Sequence, residues 1–152
     1  MAIAVGAPAP DFTLDDQDKK PFTLAEHKGK KNVVLLFYPL DWSPTCTTEN
    51  CTTAAENGVV GGPGTEVVAI SRDSVWSHKA WVEARGIRHR LLADVNLETA
   101  DKYGLRHPAK FICHRATVIV DKAGNVAFCQ VQEKTGEARD MKAVRDALAK
   151  LG

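Results

Sequence analysis

Two uninterrupted apolar stretches constrain the fold of this 152-residue chain more than any other feature. After one polar residue each, segments 32–38 and 66–70 contain only valine, leucine, isoleucine, alanine and aromatic side chains. A strand that faces water on one side alternates apolar and polar residues. Continuous apolar runs instead indicate strands that are covered on both faces, as in sheets flanked by helices.

The rest of the chain supplies the partners of these two strands. Short strands are predicted at 11–14, 21–24 and 91–92, and helices at 74–85, 97–103 and about 139–151. Strands at 116–120 and 126–131 are joined by a glycine-containing turn, which is typical of an antiparallel hairpin. Strands that alternate with helices, followed by a hairpin and a terminal helix, predict an α/β fold with a mixed sheet. We expect one domain over residues 1–152.

Charge and hydropathy exclude several classes of partner. The chain has 20 basic and 19 acidic side chains, a net charge of +1, so it lacks the basic excess of nucleic-acid-binding proteins. No apolar run approaches the roughly 20 residues of a membrane span, and the first residues lack the basic start of a signal peptide. We therefore expect a cytoplasmic protein with neither nucleic acid nor membrane as a partner.

The four cysteines, Cys46, Cys51, Cys113 and Cys129, need a chemical explanation. A domain of this size with so many aliphatic residues does not need structural disulfides. Cys-x-x-Cys is absent, which argues against a thioredoxin-like disulfide exchanger. No histidine stands at metal-ligand spacing with a cysteine pair, so we expect no metal and no cofactor.

Cys46 occupies a position that suits a nucleophile. It follows the first buried strand, at the end of a sheet where α/β proteins place their ligand crevices. Pro44 fits the first turn of a helix, and a thiol near a helix start is stabilised as the thiolate. The hydroxyl of Ser43 can accept from this thiol or donate to a bound oxygen, and Pro39 can shield the thiol from water. This arrangement favours displacement at a peroxide O–O bond.

The spacing Pro39-x-x-x-Ser43-x-x-Cys46 resembles the peroxiredoxin pattern Pro-x-x-x-(Thr/Ser)-x-x-Cys. The similarity extends to residues 5–14, 74–81 and 114–121, and so covers nearly the whole chain. It implies a thioredoxin-like fold and thiol-dependent reduction of hydrogen peroxide or alkyl hydroperoxides.

The same resemblance assigns roles to individual residues. Cys46 becomes the peroxidatic cysteine, and Arg115 the guanidinium that stabilises the thiolate and the transition state. Ser43 hydrogen-bonds the peroxide, Pro39 covers the thiol, and Glu49 orients the arginine side of the pocket.

Two branches of the family share features with this chain. The spacing of Cys46 and Cys51 matches the Cys-x4-Cys of the bacterioferritin-comigratory-protein branch, which implies that Cys51 resolves Cys46 and that thioredoxin or a similar dithiol reduces the bond. Residues 136–140 resemble the one-cysteine alkyl-hydroperoxide-reductase-E branch. The resemblance leaves a monomer or a homodimer open.

Helix geometry places a condition on this resolution step. If residues 46–51 are helical, the two Cα atoms are roughly 8 to 9 Å apart, and a disulfide tolerates about 7 Å at most. The segment must therefore unwind before Cys46 and Cys51 can bond. Threonines 47, 48, 52 and 53 and the glycines from Gly58 onward favour such unwinding.

Alternatives remain open for the other cysteines. Cys51 is either the resolving thiol or an inert one. Cys113 lies two residues before Arg115, so in an extended segment both side chains point to the same side, which suits either a second resolver or a buried bystander. Cys129 fits the core or the hairpin surface.

The role of one tryptophan and the activity of the protein also have two possible interpretations each. Trp42 suits either a dimer or reductant contact or a pocket wall, whereas Trp76 and Trp81 are interpreted as packing residues. A redox-regulated binding or holdase module on the same fold, without turnover, is the competing interpretation of the function.

Overall fold

The structure, a computed structural model, describes residues 2–44, 64–134 and 136–151. Its strands are β1 (Thr13–Asp15), β2 (Pro21–Thr23), β3 (Asn32–Phe37), β4 (Thr65–Ser71), β5 (Arg90–Ala93), β6 (Ala116–Val120) and β7 (Val126–Val131). Its helices are α1 (Val75–Arg85), α2 (Glu98–Lys102) and α3 (Met141–Ala149), with a 3₁₀ turn at Leu24–His27. No helix in the described ranges is long and apolar enough to cross a membrane.

Five strands form the main sheet in the order β5-β4-β3-β6-β7. β3, β4 and β5 run parallel, whereas β6 is antiparallel to β3 and β7 is antiparallel to β6. β1 and β2 form a separate antiparallel pair. The mixed α/β sheet predicted from the sequence is confirmed, and the β6–β7 hairpin has the predicted bounds.

β3 can lie at the centre of the sheet because each of its side chains either is apolar or has a hydrogen-bond partner inside the protein. All six of its residues are buried. Alternate side chains project to opposite faces, so Leu35 joins one apolar cluster with Phe12 and Phe22, and Leu36 joins another with Trp81 and Val144. Burial of each of these large apolar side chains stabilises the folded state by about 1.5 to 3 kcal/mol. This packing anchors the carboxyl end of β3.

Local capping residues set the ends of two helices. Ser74 caps α1 by accepting a hydrogen bond from the amide of Ser77 at 3.2 Å, and Gly86 ends the helix in the left-handed region at φ 65°. Asp140 caps α3 by accepting from the amide of Ala143 at 3.1 Å. α3 therefore begins later than predicted, and Arg139 lies outside it.

One packing prediction is wrong. Trp81 is completely buried in the second cluster, as predicted, but Trp76 is 68% exposed and carries the ammonium of Lys19 3.9 Å from its ring centre. The two tryptophans lie about 140° apart around α1, so only one of them can face the sheet.

Candidate functional site

A cleft of about 450 Å³ opens where β3 ends. It is lined by Pro39, Leu40, Ser43, Pro44, Lys110, Ile112, Arg115 and Gly136. Three of the residues singled out from the sequence, Pro39, Ser43 and Arg115, therefore meet in one place. They do so because Phe37, at the end of β3, pairs with Ala116, at the start of β6.

Arg115 supplies a buried positive charge to this cleft. Its residue is only 1% exposed, and its guanidinium is a planar cation with several N–H donors. The neighbouring walls contributed by Pro39, Leu40 and Ile112 are apolar, which strengthens the attraction between the guanidinium and an anion. The cleft is thus suited to hold a thiolate or a developing negative charge on oxygen.

Ser43 and Pro39 belong to a tight loop that follows β3. The hydroxyl of Ser43 donates to the carbonyl of Leu40 at 3.1 Å, so its oxygen lone pairs stay available as acceptors. Trp42, just before Ser43, has a φ of 70°, a left-handed conformation that is unusual for a bulky residue. Pro44 has helical backbone, in line with its predicted place in a first turn.

The predicted residues Cys46, Glu49 and Cys51 lie outside the described residues. Their roles remain predictions.

Cys113 and Cys129 lie within the described residues, and both are shielded. Cys113 is 1% exposed, belongs to the first apolar cluster, and its thiol donates to the carbonyl of Tyr38 at 3.1 Å. Cys129 is half-buried on β7, and burial raises the pKa of its thiol. These surroundings favour the bystander interpretation for both side chains.

Trp42 is 48% exposed; its ring centre lies 6.5 Å from that of Trp81 in a tilted arrangement, and the guanidinium of Arg85 lies 5.9 Å from its ring centre. It does not line the described part of the cleft. Of the two roles open for Trp42, this exposure favours a contact with another molecule over a pocket wall.

A buried polar network that the sequence analysis missed holds the loop after β3. The carboxylate of Asp41 accepts from Tyr38 Oη at 2.5 Å and from Ser77 Oγ at 2.8 Å, and lies 2.7 Å from His78 Nδ1. The other ring nitrogen of His78 lies 3.0 Å from the carbonyl of Leu92. Burial, with the adjacent Asp41 charge, raises the pKa of Tyr38 well above its usual range.

This network ties the loop to helix α1 on one side and to the sheet on the other. The amide of Asp41 also donates to Asp73 at 2.8 Å, just before α1 begins. Because Asp41 lies between Pro39 and Ser43, its four contacts fix the segment that carries both cleft residues. They also compensate for the unfavourable backbone of Trp42.

Arg139 is a second buried residue that sequence analysis did not place near the cleft. It donates to the carbonyls of Phe37, at 2.6 Å, and Ala116, and to Thr117 Oγ1 at 3.1 Å. It thereby connects the end of β3 to the start of β6, next to Arg115 in the chain. Burial lowers the pKa of the nearby His89 to about 4, and the charge of Arg139 adds to this effect.

Comparison with solved structures shows what kind of fold surrounds this cleft. The chain superimposes on peroxidoxin BcpB of Mycobacterium tuberculosis with a TM-score of 0.85, at 27% identity and with 97% of each chain covered. It also superimposes on a reduced 2-Cys peroxiredoxin of Plasmodium vivax with a TM-score of 0.87, at 28% identity, covering 97% of this chain and 82% of that one. The fold is therefore the thioredoxin-like fold of thiol peroxidases, as predicted.

Sequence comparison narrows this class to a family. Residues 5–129 match the AhpC/TSA family model. Alkyl hydroperoxide reductase E of Mycobacterium tuberculosis is 34% identical over 151 residues, covering 98% of both chains. Chloroplastic peroxiredoxin Q of Triticum aestivum is 35% identical over 129 residues, covering 83% of this chain and 58% of the relative. The chain belongs to the AhpC/TSA family and is a peroxiredoxin, an oxidoreductase with thiol-dependent peroxidase activity.

Proposed function

We propose that this protein reduces hydrogen peroxide and organic hydroperoxides through Cys46. The thiolate attacks one peroxide oxygen, and an S–O bond forms as the O–O bond breaks. The alkoxide or hydroxide that leaves takes up a proton and becomes an alcohol or water. The product is a Cys46 sulfenic acid. The observation that carries this proposal is the buried Arg115 facing the same cleft as Ser43 and Pro39.

The regeneration half of the cycle is proposed to pass through Cys51. Its thiol attacks the sulfenic sulfur, a disulfide forms, and water leaves. Thioredoxin or a similar dithiol then supplies two electrons and two protons and restores both thiols. The shielded positions of Cys113 and Cys129 support Cys51 as the resolving residue.

Replacement of the nucleophile tests the first half. We expect Cys46→Ser to abolish peroxide consumption with dithiothreitol as electron donor, because Cys46 is the proposed nucleophile and the two cysteines in the described part of the chain, Cys113 and Cys129, are buried and half-buried. Cys129→Ser is the matched control and should retain nearly full activity. Substantial turnover by the Cys46→Ser protein would refute the assignment.

Peptide mapping tests the second half. After one equivalent of peroxide, mass spectrometry of non-reduced peptides should show Cys46 joined to Cys51. A bond between Cys46 and Cys113, or only a stable sulfenic acid, would exclude Cys51 as resolver and leave Cys46 as the peroxidatic residue.

A further inference from the structure

Beside the cleft lies a group of side chains that the proposed chemistry does not use. We call it the cationic rim and define it as Arg72, Arg106 and Lys110 together with the aromatic ring of Phe111. Phe111 is 53% exposed, although large apolar side chains are usually covered. Lys110 and Ile112, its neighbours along the chain, both line the cleft, so the rim borders the opening.

Two guanidinium groups share the ring of Phe111. That of Arg72 lies 5.1 Å from the ring centre and that of Arg106 lies 5.2 Å from it. Each contact is a favourable cation–π interaction, but it brings two like charges close together. Arg106 is neutralised by Asp101, whose carboxylate accepts two hydrogen bonds at 2.6 and 2.7 Å.

Arg72 and Lys110 are not neutralised in this way. Neither forms an ion pair with any residue in the described part of the chain, and Arg72 Nε is buried without an acceptor there. Among the residues that the structure describes, the rim therefore carries positive charge that no carboxylate compensates, around an exposed aromatic ring. Arginine and aromatic side chains are the residues most enriched at the centres of protein interfaces.

We propose that the cationic rim docks the protein reductant, a dithiol protein with carboxylates beside its redox-active thiols. The inference rests on the proposed function, because only an enzyme that is oxidised at the cleft needs a reductant to dock there. Acidic groups on the partner complement the charges of Arg72 and Lys110 and accelerate the encounter. A second copy of this chain is a poorer occupant, because a twofold interface brings the same patch against itself and its cations would repel.

Charge reversal at Arg72 tests this proposal. Thioredoxin serves as the acidic protein probe and dithiothreitol as the uncharged dithiol, and each is mixed with the peroxide-oxidised protein. For Arg72→Glu we expect the second-order rate constant with thioredoxin to fall about tenfold and its dependence on salt to flatten. The rate constants with dithiothreitol, and for oxidation by hydrogen peroxide, should stay within about twofold of the wild-type values.

Two further variants distinguish the effect of losing the positive charge of the rim from a general effect of the substitution on the protein. Arg72→Lys keeps the positive charge and should retain most of the thioredoxin rate. Lys122→Glu makes the same change of charge at an exposed turn between β6 and β7, away from the rim, and should leave all three rates unchanged. If thioredoxin does not reduce the wild-type protein, dimercaptosuccinate, a dithiol with carboxylates, replaces it with the same expected pattern.

Several outcomes would overturn the docking surface. Wild-type thioredoxin rates in Arg72→Glu would do so, as would an equal loss with thioredoxin and dithiothreitol. If Arg72→Glu lowered only the rate constant for oxidation by the peroxide, the rim would instead bind an anionic substrate. Sedimentation that shows a wild-type dimer broken by Arg72→Glu would assign it to a second copy. A wild-type protein that hydrogen peroxide does not oxidise would refute the proposed function, which is a different result from any of these.

Discussion

Arg115 is the buried cation of the cleft. Its guanidinium presents several N–H donors in a fixed plane, which suits two oxygens or an oxygen and a sulfur at once. A lysine carries the same charge, but as a single compact group. Shape and charge can therefore be separated by a conservative substitution.

We predict that Arg115→Lys lowers the rate constant for peroxide reduction about a hundredfold, the usual cost of losing a transition-state donor. Stopped-flow measurement of thiol oxidation gives the rate, and circular dichroism verifies that the fold is unchanged. Lys110→Arg, which also alters a cation of the cleft wall, is a useful comparison because it keeps every charge in place. Wild-type rates in Arg115→Lys would move the transition-state donor to another residue.

Some residues of the cleft can be predicted from the sequence and others cannot. Pro39 and Ser43 were predicted from their spacing, and both line the cleft together with Arg115. Asp41 and Arg139 were not predicted, because, apart from Tyr38, the partners that hold them lie tens of residues away along the chain. An acidic residue inside an otherwise apolar loop was the one available hint, since a buried carboxylate requires donors.

Among the larger elements, strands and hairpins were predicted better than helix ends. Uninterrupted apolar runs can only be buried strands here, and a turn with Gly124 fixes the β6–β7 hairpin. Helix α3 was predicted to include Arg139, because a charged residue before a helix resembles one inside it. The observed start depends on the Asp140 cap and on the contacts that draw the Arg139 side chain beneath the sheet.

Arg139 connects two strands and the approach to α3, so its loss should weaken all three elements. We predict that Arg139→Leu lowers the free energy of unfolding by about 3 kcal/mol, because it leaves buried carbonyl oxygens without donors. Urea denaturation followed by circular dichroism measures the change. Lys150→Leu, at an exposed position after α3, is the matched control and should alter stability by less than about 0.5 kcal/mol. Equal effects of the two variants would contradict the role given to Arg139.

For the molecule as a whole, His89 makes stability depend on pH. Its pKa is lowered to about 4 by burial and by Arg139, whereas an unfolded histidine has a pKa of about 6.5. Between these values the unfolded chain binds a proton that the folded protein does not. Stability is therefore full above about pH 6.5 and declines as the pH falls toward 4, by up to about 3 kcal/mol.

The corresponding variant is His89→Gln, which cannot titrate. We predict that the difference in unfolding free energy between wild type and His89→Gln shrinks steadily from pH 7 to pH 4.5, while the titration of carboxylates cancels between the two proteins. Urea denaturation at several pH values measures this difference. A constant difference would show that His89 does not contribute to the acid sensitivity.

The position of β6 in the sheet also has a kinetic consequence. β3 and β6 pair although they lie roughly eighty residues apart along the chain, and closing so long a loop costs more entropy than forming the adjacent hairpin. β6 and β7 can therefore pair early and join β3 later, in the step with the greatest loss of chain freedom. Ser43 follows β3 and Arg115 precedes β6, so the cleft exists only once that late step is complete. During refolding from denaturant, recovery of activity should accordingly be among the last events, and a folding intermediate would lack peroxidase activity even where it already has native-like helices.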